Sequence, residues 1–181
     1  TNIMVGSSNT TSNGIRYTWT VVDNPKVTGE SNSIGQGQLE GTPIIQTLTN
    51  SSIDTAVLRY HITPWTIDKN GNNRCSGTPI VVDIWVEPTV TITAVNDTIC
   101  NGGATNIMVG SGNTTTNGIR YTWTVADNPK VTGESNSIGQ GQFEGTPIVQ
   151  TLTNSSIDTA VLRYHITPWT IDQNGNNRCS G

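Results

Sequence analysis

Three cysteines, Cys75, Cys100 and Cys179, have the widest choice of chemistry in this chain. A cysteine thiolate can bind a metal, form a disulfide or act as a nucleophile. None of the three belongs to a CxxC pair, which argues against a zinc site. Cys100 and Cys179 fall in one predicted domain, after its opening strand and before the place of a closing strand. We therefore predict that they form a disulfide, which implies an oxidising compartment. A Cys75–Cys100 bridge and three reduced thiols are the alternatives.

Two loops, residues 68–73 and 172–177, combine an aspartate with several asparagines, whose oxygens are suitable ligands for Ca²⁺. The match to an EF-hand loop fails at two positions. Glycine stands fourth instead of sixth, and Pro79 stands twelfth in the first loop, where a glutamate is required. The Asn-Gly pairs are typical of hairpin turns. We predict hairpins and no cofactor, and keep Ca²⁺ at Asp68 and Asp172 as the alternative.

His61 and His165 could act as general bases, and each lies two residues after an arginine in a predicted strand. No serine or cysteine nucleophile and no carboxylate is linked to either histidine by its spacing. We therefore interpret both histidines as exposed strand residues. The sequence predicts no catalytic residue and no enzyme.

Three tryptophans could form a contact surface: Trp65, Trp85 and Trp169. Trp85 alternates with Asp83 and Glu87 on the predicted outer face of its strand. Such a face could pack against a neighbouring domain or stack on a sugar ring. Packing between domains is the favoured interpretation.

The composition excludes several classes of function. Charged residues make up 12% of the chain, about half the usual share. The net charge of −4 predicts neither a nucleic-acid-binding surface nor attraction to an anionic membrane. No apolar run approaches the roughly 20 residues of a membrane-spanning helix, so we expect no direct membrane insertion.

An internal repeat organises the chain. Residues 1–77 align with residues 105–181 without a gap. The two copies differ at six positions: Ser8/Gly112, Ser12/Thr116, Val22/Ala126, Leu39/Phe143, Ile45/Val149 and Lys69/Gln173. The period is too long for a solenoid repeat and matches one β-sandwich domain of about 100 residues. We expect the chain to be an excerpt from a longer array.

The repeat contains short segments in which apolar and polar residues alternate, as in half-buried strands. In residues 14–21 and 118–125, Ile, Tyr, Trp and Val take every second position. Strands are predicted at residues 2–5, 14–22, 44–49, 56–63, 79–86 and 89–95, with Pro64 expected to end or bulge its strand. No segment has a helical period. The predicted fold class is all-β, with two tandem immunoglobulin-like antiparallel sandwiches.

Pro88 marks the predicted boundary between the domains. The first domain, residues 1–88, contains a closing strand and lacks an opening one, whereas the second domain, residues 89–181, has the opposite arrangement. Each domain is therefore expected to expose a sheet edge, which invites strand addition from another molecule.

A family resemblance rests on five segments in order along the second copy: Thr98-Ile99-Cys100-Asn101-Gly102, Tyr121-Thr122-Trp123-Thr124-Val125, Gln150-Thr151-Leu152-Thr153-Asn154, Tyr164-His165-Ile166-Thr167-Pro168 and Cys179-Ser180-Gly181. Together they resemble the PKD-like, immunoglobulin-like repeats of very large surface proteins of Bacteroidetes-type bacteria. These proteins include gliding-motility adhesins exported by type IX secretion. The resemblance covers essentially the whole chain, but the loops after Trp65 and Trp169 are longer than the family pattern.

The resemblance implies a stalk of β-sandwich domains at the cell surface, with its cysteine pair at Cys100 and Cys179. Three Asp-Thr-aliphatic triplets also resemble the O-glycosylation signal of those bacteria, which implies sugar on Thr55, Thr98 and Thr159. The leading hypothesis is a non-enzymatic structural repeat of a secreted adhesin or filament. Its partners would be neighbouring repeats of the same chain or filament, and possible surface polysaccharide. The alternative is a carbohydrate-binding module attached to a secreted hydrolase.

Overall fold

The computed structural model describes residues 1–181 and contains strands and turns but no helix. All strand pairs are antiparallel, and the predicted all-β fold class is confirmed. The chain forms two compact units, Thr1–Pro88 and Thr89–Gly181. No helix that could span a membrane is present.

The first unit has nine strands. They are β1 (Asn2–Ile3), β2 (Ile15–Val22), β3 (Val27–Thr28), β4 (Gln38–Leu39), β5 (Ile44–Ile45), β6 (Thr49–Asn50), β7 (Ala56–Ile67), β8 (Asn73–Ser76) and β9 (Ile80–Val86). The second unit has eight strands. They are β10 (Thr93–Ala94), β11 (Val109–Gly110), β12 (Ile119–Ala126), β13 (Val131–Thr132), β14 (Gln142–Phe143), β15 (Thr153–Asn154), β16 (Arg163–Ile171) and β17 (Asn177–Ser180).

The long pair β2–β7 is the centre of the first unit, and β12–β16 is its counterpart in the second. The alternation in β2 places Ile15, Tyr17 and Trp19 on the buried face, as predicted. Strand β4 pairs with the other edge of β2, whereas β8 and β9 both pair with the far edge of β7. This gives a sheet of five strands in the first unit and four in the second.

A second layer of short strand pairs closes the core. In the first unit this layer consists of β1–β5 and β3–β6. Ile3, Val27 and Ile44 from this layer pack with Tyr17 and Leu58 of the larger sheet in one buried cluster. Apolar side chains from two facing sheets therefore meet in a common core, which is the architecture of a β-sandwich.

Glycine at position 37 lets the irregular stretch between β3 and β5 pass close to the central strand. Gly37 has φ +75°, and a Cβ atom there would lie 2.1 Å from the backbone oxygen of Tyr17. Gly141 has the same φ and the same distance to Tyr121. Only a residue without a side chain fits this approach.

The strand boundaries differ from the predictions in several places. The predicted strand at residues 2–5 is reduced to Asn2–Ile3, and the predicted strand at residues 44–49 is two separate strands, Ile44–Ile45 and Thr49–Asn50. Strand β7 continues through Pro64 to Ile67, so the expected end at Pro64 is wrong, and the irregularity of the strand lies between Trp65 and Ile67, where its pairing with β8 shifts register. The carbonyl of Pro64 accepts a hydrogen bond from Gly77, at the junction between β8 and β9. In an antiparallel strand the N–H and C=O groups of one residue point to the same neighbour. The missing N–H of Pro64 therefore faces a gap in the ladder.

The predicted opening strand, residues 89–95, is reduced to Thr93–Ala94, which pairs with Val109–Gly110. Val90 is buried, at 2% exposure. The backbone N–H of Thr91 binds the side-chain oxygen of Asn113 at 2.8 Å. The Asn113 side chain therefore takes the place of a backbone hydrogen-bond partner from a neighbouring strand.

In the second unit, strand β16 begins at Arg163, whereas the equivalent strand β7 begins three residues earlier in the repeat, at Ala56. The core cluster of the second unit is also smaller, with Val109, Tyr121, Trp123 and Ile148 as its buried members.

Candidate functional site

Trp65 and Arg16 form the centre of a polar and aromatic cluster on the outer face of the larger sheet. They are direct cross-strand partners in the β2–β7 pair. The indole Nε1 of Trp65 donates to Oγ1 of Thr18 at 2.9 Å, which holds the ring against β2. The loop between β7 and β8 brings Asn73 to the same place. There the backbone N–H of Asn73 donates to the side-chain Oε1 of Gln36 at 2.9 Å, and Nδ2 of Asn73 donates to the backbone carbonyl of Gln36 at 3.0 Å.

This outer-face cluster, defined as Arg16, Gln36, Trp65 and Asn73, contains two buried polar atoms without a hydrogen-bond partner. They are Nε of Arg16, a donor, and Oδ1 of Asn73, an acceptor. Buried polar atoms in folded proteins are nearly always paired, with protein or with water. Because both atoms are buried, they do not face an incoming ligand, and the half-buried ring of Trp65 is one part of the cluster that solvent reaches.

The second unit repeats the cluster with Arg120, Gln140, Trp169 and Asn177. Nε1 of Trp169 donates to Thr122 at 2.9 Å, and the Arg120 and Asn177 atoms are again unpaired. One difference is Phe143, which stands where the first copy has Leu39. The guanidinium carbon of Arg120 lies 4.1 Å from the centre of the Phe143 ring, a cation–π contact.

The sequence singled out Trp65 and Trp169 but missed the arginine, glutamine and asparagine of each cluster. The missed signal was register. Arg16 and Trp65 become neighbours only once the β2–β7 alignment is known, and Gln36 lies in a stretch without periodicity. Trp85 lies elsewhere: it is 57% exposed on β9 and pairs across the strands with Val57.

The aspartate loops are hairpins in which the carboxylate serves the turn. Oδ1 of Asp68 accepts backbone N–H groups from Asn70 and Asn72 at 2.8 and 2.9 Å, and Asp172 is bound in the same way. These hydrogen bonds, the one from Asn72 above all, lower the pKa of Asp68. No group of three or more His, Cys, Asp or Glu side chains in the chain could hold a metal ion.

His61 and His165 are exposed strand residues, as interpreted from the sequence. The cross-strand partners of His61 are Thr20 and Val81, so neither neighbour is a nucleophile. Arg59, two residues before His61, forms an ion pair with Asp83 on the adjacent strand.

All three cysteines are exposed and unbonded in this structure. Cys100 lies close to Leu152, because the neighbouring residues 102–103 form backbone hydrogen bonds with Leu152. Leu152 precedes β15, and β15 pairs with β13, which follows the end of β12 at Ala126. Cys179 lies elsewhere, because its backbone N–H donates to Oγ1 of Thr170. Thr170 is paired with Ile119 at the opposite end of β12.

The length of β12 therefore separates the two cysteines. Seven residue steps along a strand span about 23 Å, whereas disulfide-bonded cysteines have Cα atoms roughly 4.4–6.8 Å apart. This arrangement does not form the predicted Cys100–Cys179 bridge, which would require one of the two segments to move. The pairing stays a prediction for measurement on the protein.

The three predicted glycosylation threonines differ in accessibility. Thr98 and Thr159 are exposed. Thr55 is half-buried, and its hydroxyl donates to Oε2 of Glu87 at 2.7 Å. A sugar on Thr55 would replace the donated hydrogen, so Thr98 and Thr159 are the more accessible acceptors.

The comparison with protein families assigns both halves of the chain. The family described as PKD-like domain matches residues 4–90 and again residues 94–181. No curated protein and no solved structure is a significant match. PKD-like immunoglobulin domains are generally structural and non-catalytic. With two all-β units and two matches that cover nearly its whole length, the chain belongs to the PKD-like domain family.

Proposed function

We propose that this chain is a pair of non-enzymatic structural repeats of a long secreted cell-surface adhesin or filament. The observation that carries the proposal is the near identity of two consecutive PKD-like units, which differ at six of the aligned positions. A stalk needs the same domain many times, and repetition of one weak contact surface raises its avidity without new contacts. PKD-like domains are typically extracellular, which supports an outer location.

Each unit would then act both as a spacer and as one contact in a multivalent array. The outer-face cluster is present in both units with the same hydrogen bonds, so each unit adds one more copy of it. Its partners would be neighbouring repeats of the same chain or filament and surface polysaccharide. Nucleic acid and direct membrane insertion have no place in this proposal.

Surface labelling tests the location. Antibodies against the chain should label intact cells of the source organism, and protease treatment of intact cells should remove the label. Peptide mapping of the surface-exposed protein under non-reducing conditions then tests the predicted Cys100–Cys179 bridge and should show hexose on Thr98 or Thr159. A label that appears only after lysis would contradict the proposal.

A carbohydrate-binding module of a secreted hydrolase is the second candidate. The half-buried rings of Trp65 and Trp169 on the outer face of the sheet favour it, because an aromatic ring can stack on a sugar ring. Retention on an insoluble polysaccharide should fall strongly when Trp65 and Trp169 are both changed to Ala. Trp85→Ala is the matched control, because this exposed tryptophan lies outside the cluster. Equal retention of all variants would exclude the cluster as a sugar site.

A further inference from the structure

Three side chains of the second unit lie in one row across the outer face of the larger sheet. Arg120 of β12 is the direct cross-strand partner of Phe143 on β14 and of Trp169 on β16. The guanidinium carbon of Arg120 lies 4.1 Å from the centre of the Phe143 ring. This outer-face row, defined as Phe143, Arg120 and Trp169, therefore places one cation between two aromatic residues.

The first unit has the same row with one residue changed. Arg16 of β2 is the cross-strand partner of Leu39 on β4 and of Trp65 on β7. Leu39/Phe143 is one of the six differences between the aligned copies, and the two side chains are equally accessible, at 51% and 50% exposure. The two units therefore present a leucine row and a phenylalanine row on the same strand frame.

The tryptophan of each row is held in a fixed orientation. Nε1 of Trp65 donates to Thr18 and Nε1 of Trp169 donates to Thr122, in both cases to Oγ1 at 2.9 Å. Each tryptophan is half-buried, so part of its ring reaches solvent. A ring that is already bonded to the sheet loses little side-chain freedom when a ligand packs on it, which favours binding.

The arginine of each row has no anionic partner. Nε of Arg16 and Nε of Arg120 are buried and unpaired, and they face no incoming ligand. The terminal nitrogens Nη1 and Nη2 are not among the buried unpaired atoms and make no hydrogen bond or ion pair, so they retain access to solvent. A Cβ atom at Gly175 would lie 4.0 Å from Nη2 of Arg120, so the hairpin turn borders this group. The guanidinium is thus enclosed by the Phe143 ring and the hairpin, with its outer N–H donors free.

We propose that the outer-face rows bind an acidic polysaccharide, one carboxylated sugar per row. The sugar ring packs on the exposed part of the tryptophan. The carboxylate accepts hydrogen bonds from the outer nitrogens of the arginine, whose planar fork matches a carboxylate. The row with Phe143 binds more tightly, because this ring holds the Arg120 guanidinium in place. The inference rests on the proposed polysaccharide contact of the stalk and specifies the chemistry of that polymer.

The position of the rows favours this ligand over a neutral sugar and over an acidic peptide. A neutral sugar would leave the guanidinium without an anion. An extended peptide gains its affinity by adding to a free sheet edge. The rows instead cross three strands whose backbone groups are already paired, with β2 and β12 in the interior of their sheets. A ligand on this face meets only side chains, which suits a ring that carries one charge.

Titration of the full 181-residue chain with tetragalacturonate tests the proposal. Two-dimensional NMR separates the indole N–H signals of the five tryptophans, so each row is observed by itself. We expect the signals of Trp65 and Trp169 to shift to saturation, that of Trp169 at the lower concentration, and the signal of exposed Trp85 to stay unchanged. Absence of a shift at both row tryptophans would overturn the proposal.

The methyl ester of the same oligosaccharide is the matched ligand, because it keeps the rings and removes the charges. It should bind about tenfold more weakly. Arg120→Gln should abolish this preference at Trp169 and leave it intact at Trp65, whereas Arg120→Lys should retain part of it. Equal binding of acid and ester to the unchanged chain would overturn the proposed role of the arginines.

Exchange of one residue between the rows tests their order of affinity. Phe143→Leu should weaken binding at Trp169 about threefold, and Leu39→Phe should strengthen binding at Trp65 by a similar factor. Each variant carries the residue that the other unit already accommodates, so both should fold. An unchanged order of affinity would contradict the role of Phe143.

Two further readouts identify the occupant. A hexa-aspartate peptide that shifts the same indole signals at lower concentration than the oligosaccharide would make an acidic peptide the occupant and overturn the proposal. Surface labelling of intact cells does not depend on these titrations. Labelled cells together with a chain that binds neither oligosaccharide would therefore reject the acidic polymer and keep the surface location.

Discussion

Arg59 and Asp83 are joined by two parallel hydrogen bonds, from Nε to Oδ1 at 2.8 Å and from Nη2 to Oδ2 at 2.9 Å. This is the only ion pair in the structure, and it fastens the closing strand β9 to β7. The hydrogen bonds from Arg59 hold the pKa of Asp83 below its usual value, so the pair stays charged at neutral pH. Arg163 occupies the same place in the second unit without a partner.

The first prediction compares these two arginines. Arg59→Gln should lower the midpoint of thermal unfolding of the first unit, because it leaves Asp83 without its charged partner. Arg163→Gln should leave the second unit unchanged within error. Differential scanning calorimetry at low salt is the measurement, since screening weakens exposed pairs. Equal shifts for both variants would show that the ion pair does not account for the effect.

The second prediction concerns two identical leucines in unequal surroundings. Leu58→Ala removes a fully buried side chain and should cost about 2–5 kcal/mol of unfolding free energy. Leu162→Ala should cost clearly less, because that side chain is half-exposed. Urea denaturation of both variants gives the comparison. If Leu162→Ala were as costly as Leu58→Ala, the Leu162 side chain would have to be as buried in solution as Leu58.

The third prediction compares two glycines, one where an added Cβ would clash with a neighbouring backbone and one where it would only strain the left-handed backbone conformation. Gly37 and Gly41 both have positive φ, but only Gly37 meets a neighbouring backbone atom within 4 Å of an added Cβ. Gly41→Ala should cost about 1–2 kcal/mol, the price of the left-handed conformation. Gly37→Ala should cost substantially more, because the Tyr17 carbonyl belongs to a central strand and cannot move away easily. Urea denaturation measures both, and similar costs would contradict the close approach.

The fourth prediction is an acid dependence of the two hairpins. The folded-state pKa of Asp68 and of Asp172 is lowered by backbone N–H donors. A depressed folded pKa means that the stabilisation is present above the unfolded value of about 4 and is lost as pH falls through the folded value. Native-state hydrogen exchange should therefore show faster opening of residues 68–76 and 172–180 in acid.

Asn at both positions supplies the control. It retains an oxygen acceptor for the same N–H groups but does not titrate. The double variant Asp68→Asn, Asp172→Asn should open at a rate that no longer changes in this acid range. A rate with the original pH dependence would assign the effect to other carboxylates.

The sequence was sufficient for the fold where a period of two fixed the inward side chains. Tyr17, Trp19, Leu58 and Tyr60 are buried as their alternation predicts. The sequence was insufficient to predict strand ends at places where a side chain, or an interruption of the ladder, takes the place of backbone hydrogen bonds between strands. The opening strand shortens because the Asn113 side chain binds Thr91, and β7 passes through Pro64 because the ladder is interrupted there.

The candidate site was predicted only in part, for a related reason. A tryptophan can be noticed in a sequence, but its neighbours are set by register and by long loops. Asn73 reaches Gln36 across 37 residues of chain, through contacts that no local pattern encodes. The order of segments along the chain also does not specify the end of the sheet at which Cys100 and Cys179 lie, and their pairing stays a prediction.

The near identity of β2 and β12 also bears on folding. These strands differ only at Val22 and Ala126, and each pairs with a partner of the same sequence in its own unit. During refolding, β12 is therefore as complementary to β7 as β2 is, and chain connectivity alone favours the native choice. Exchange of equivalent elements between neighbours is a characteristic failure of repeat proteins. After rapid refolding we expect a population in which β12 is paired with β7, and this population should convert slowly to the native pairing. Synthesis of one unit before the next would avoid this mispairing.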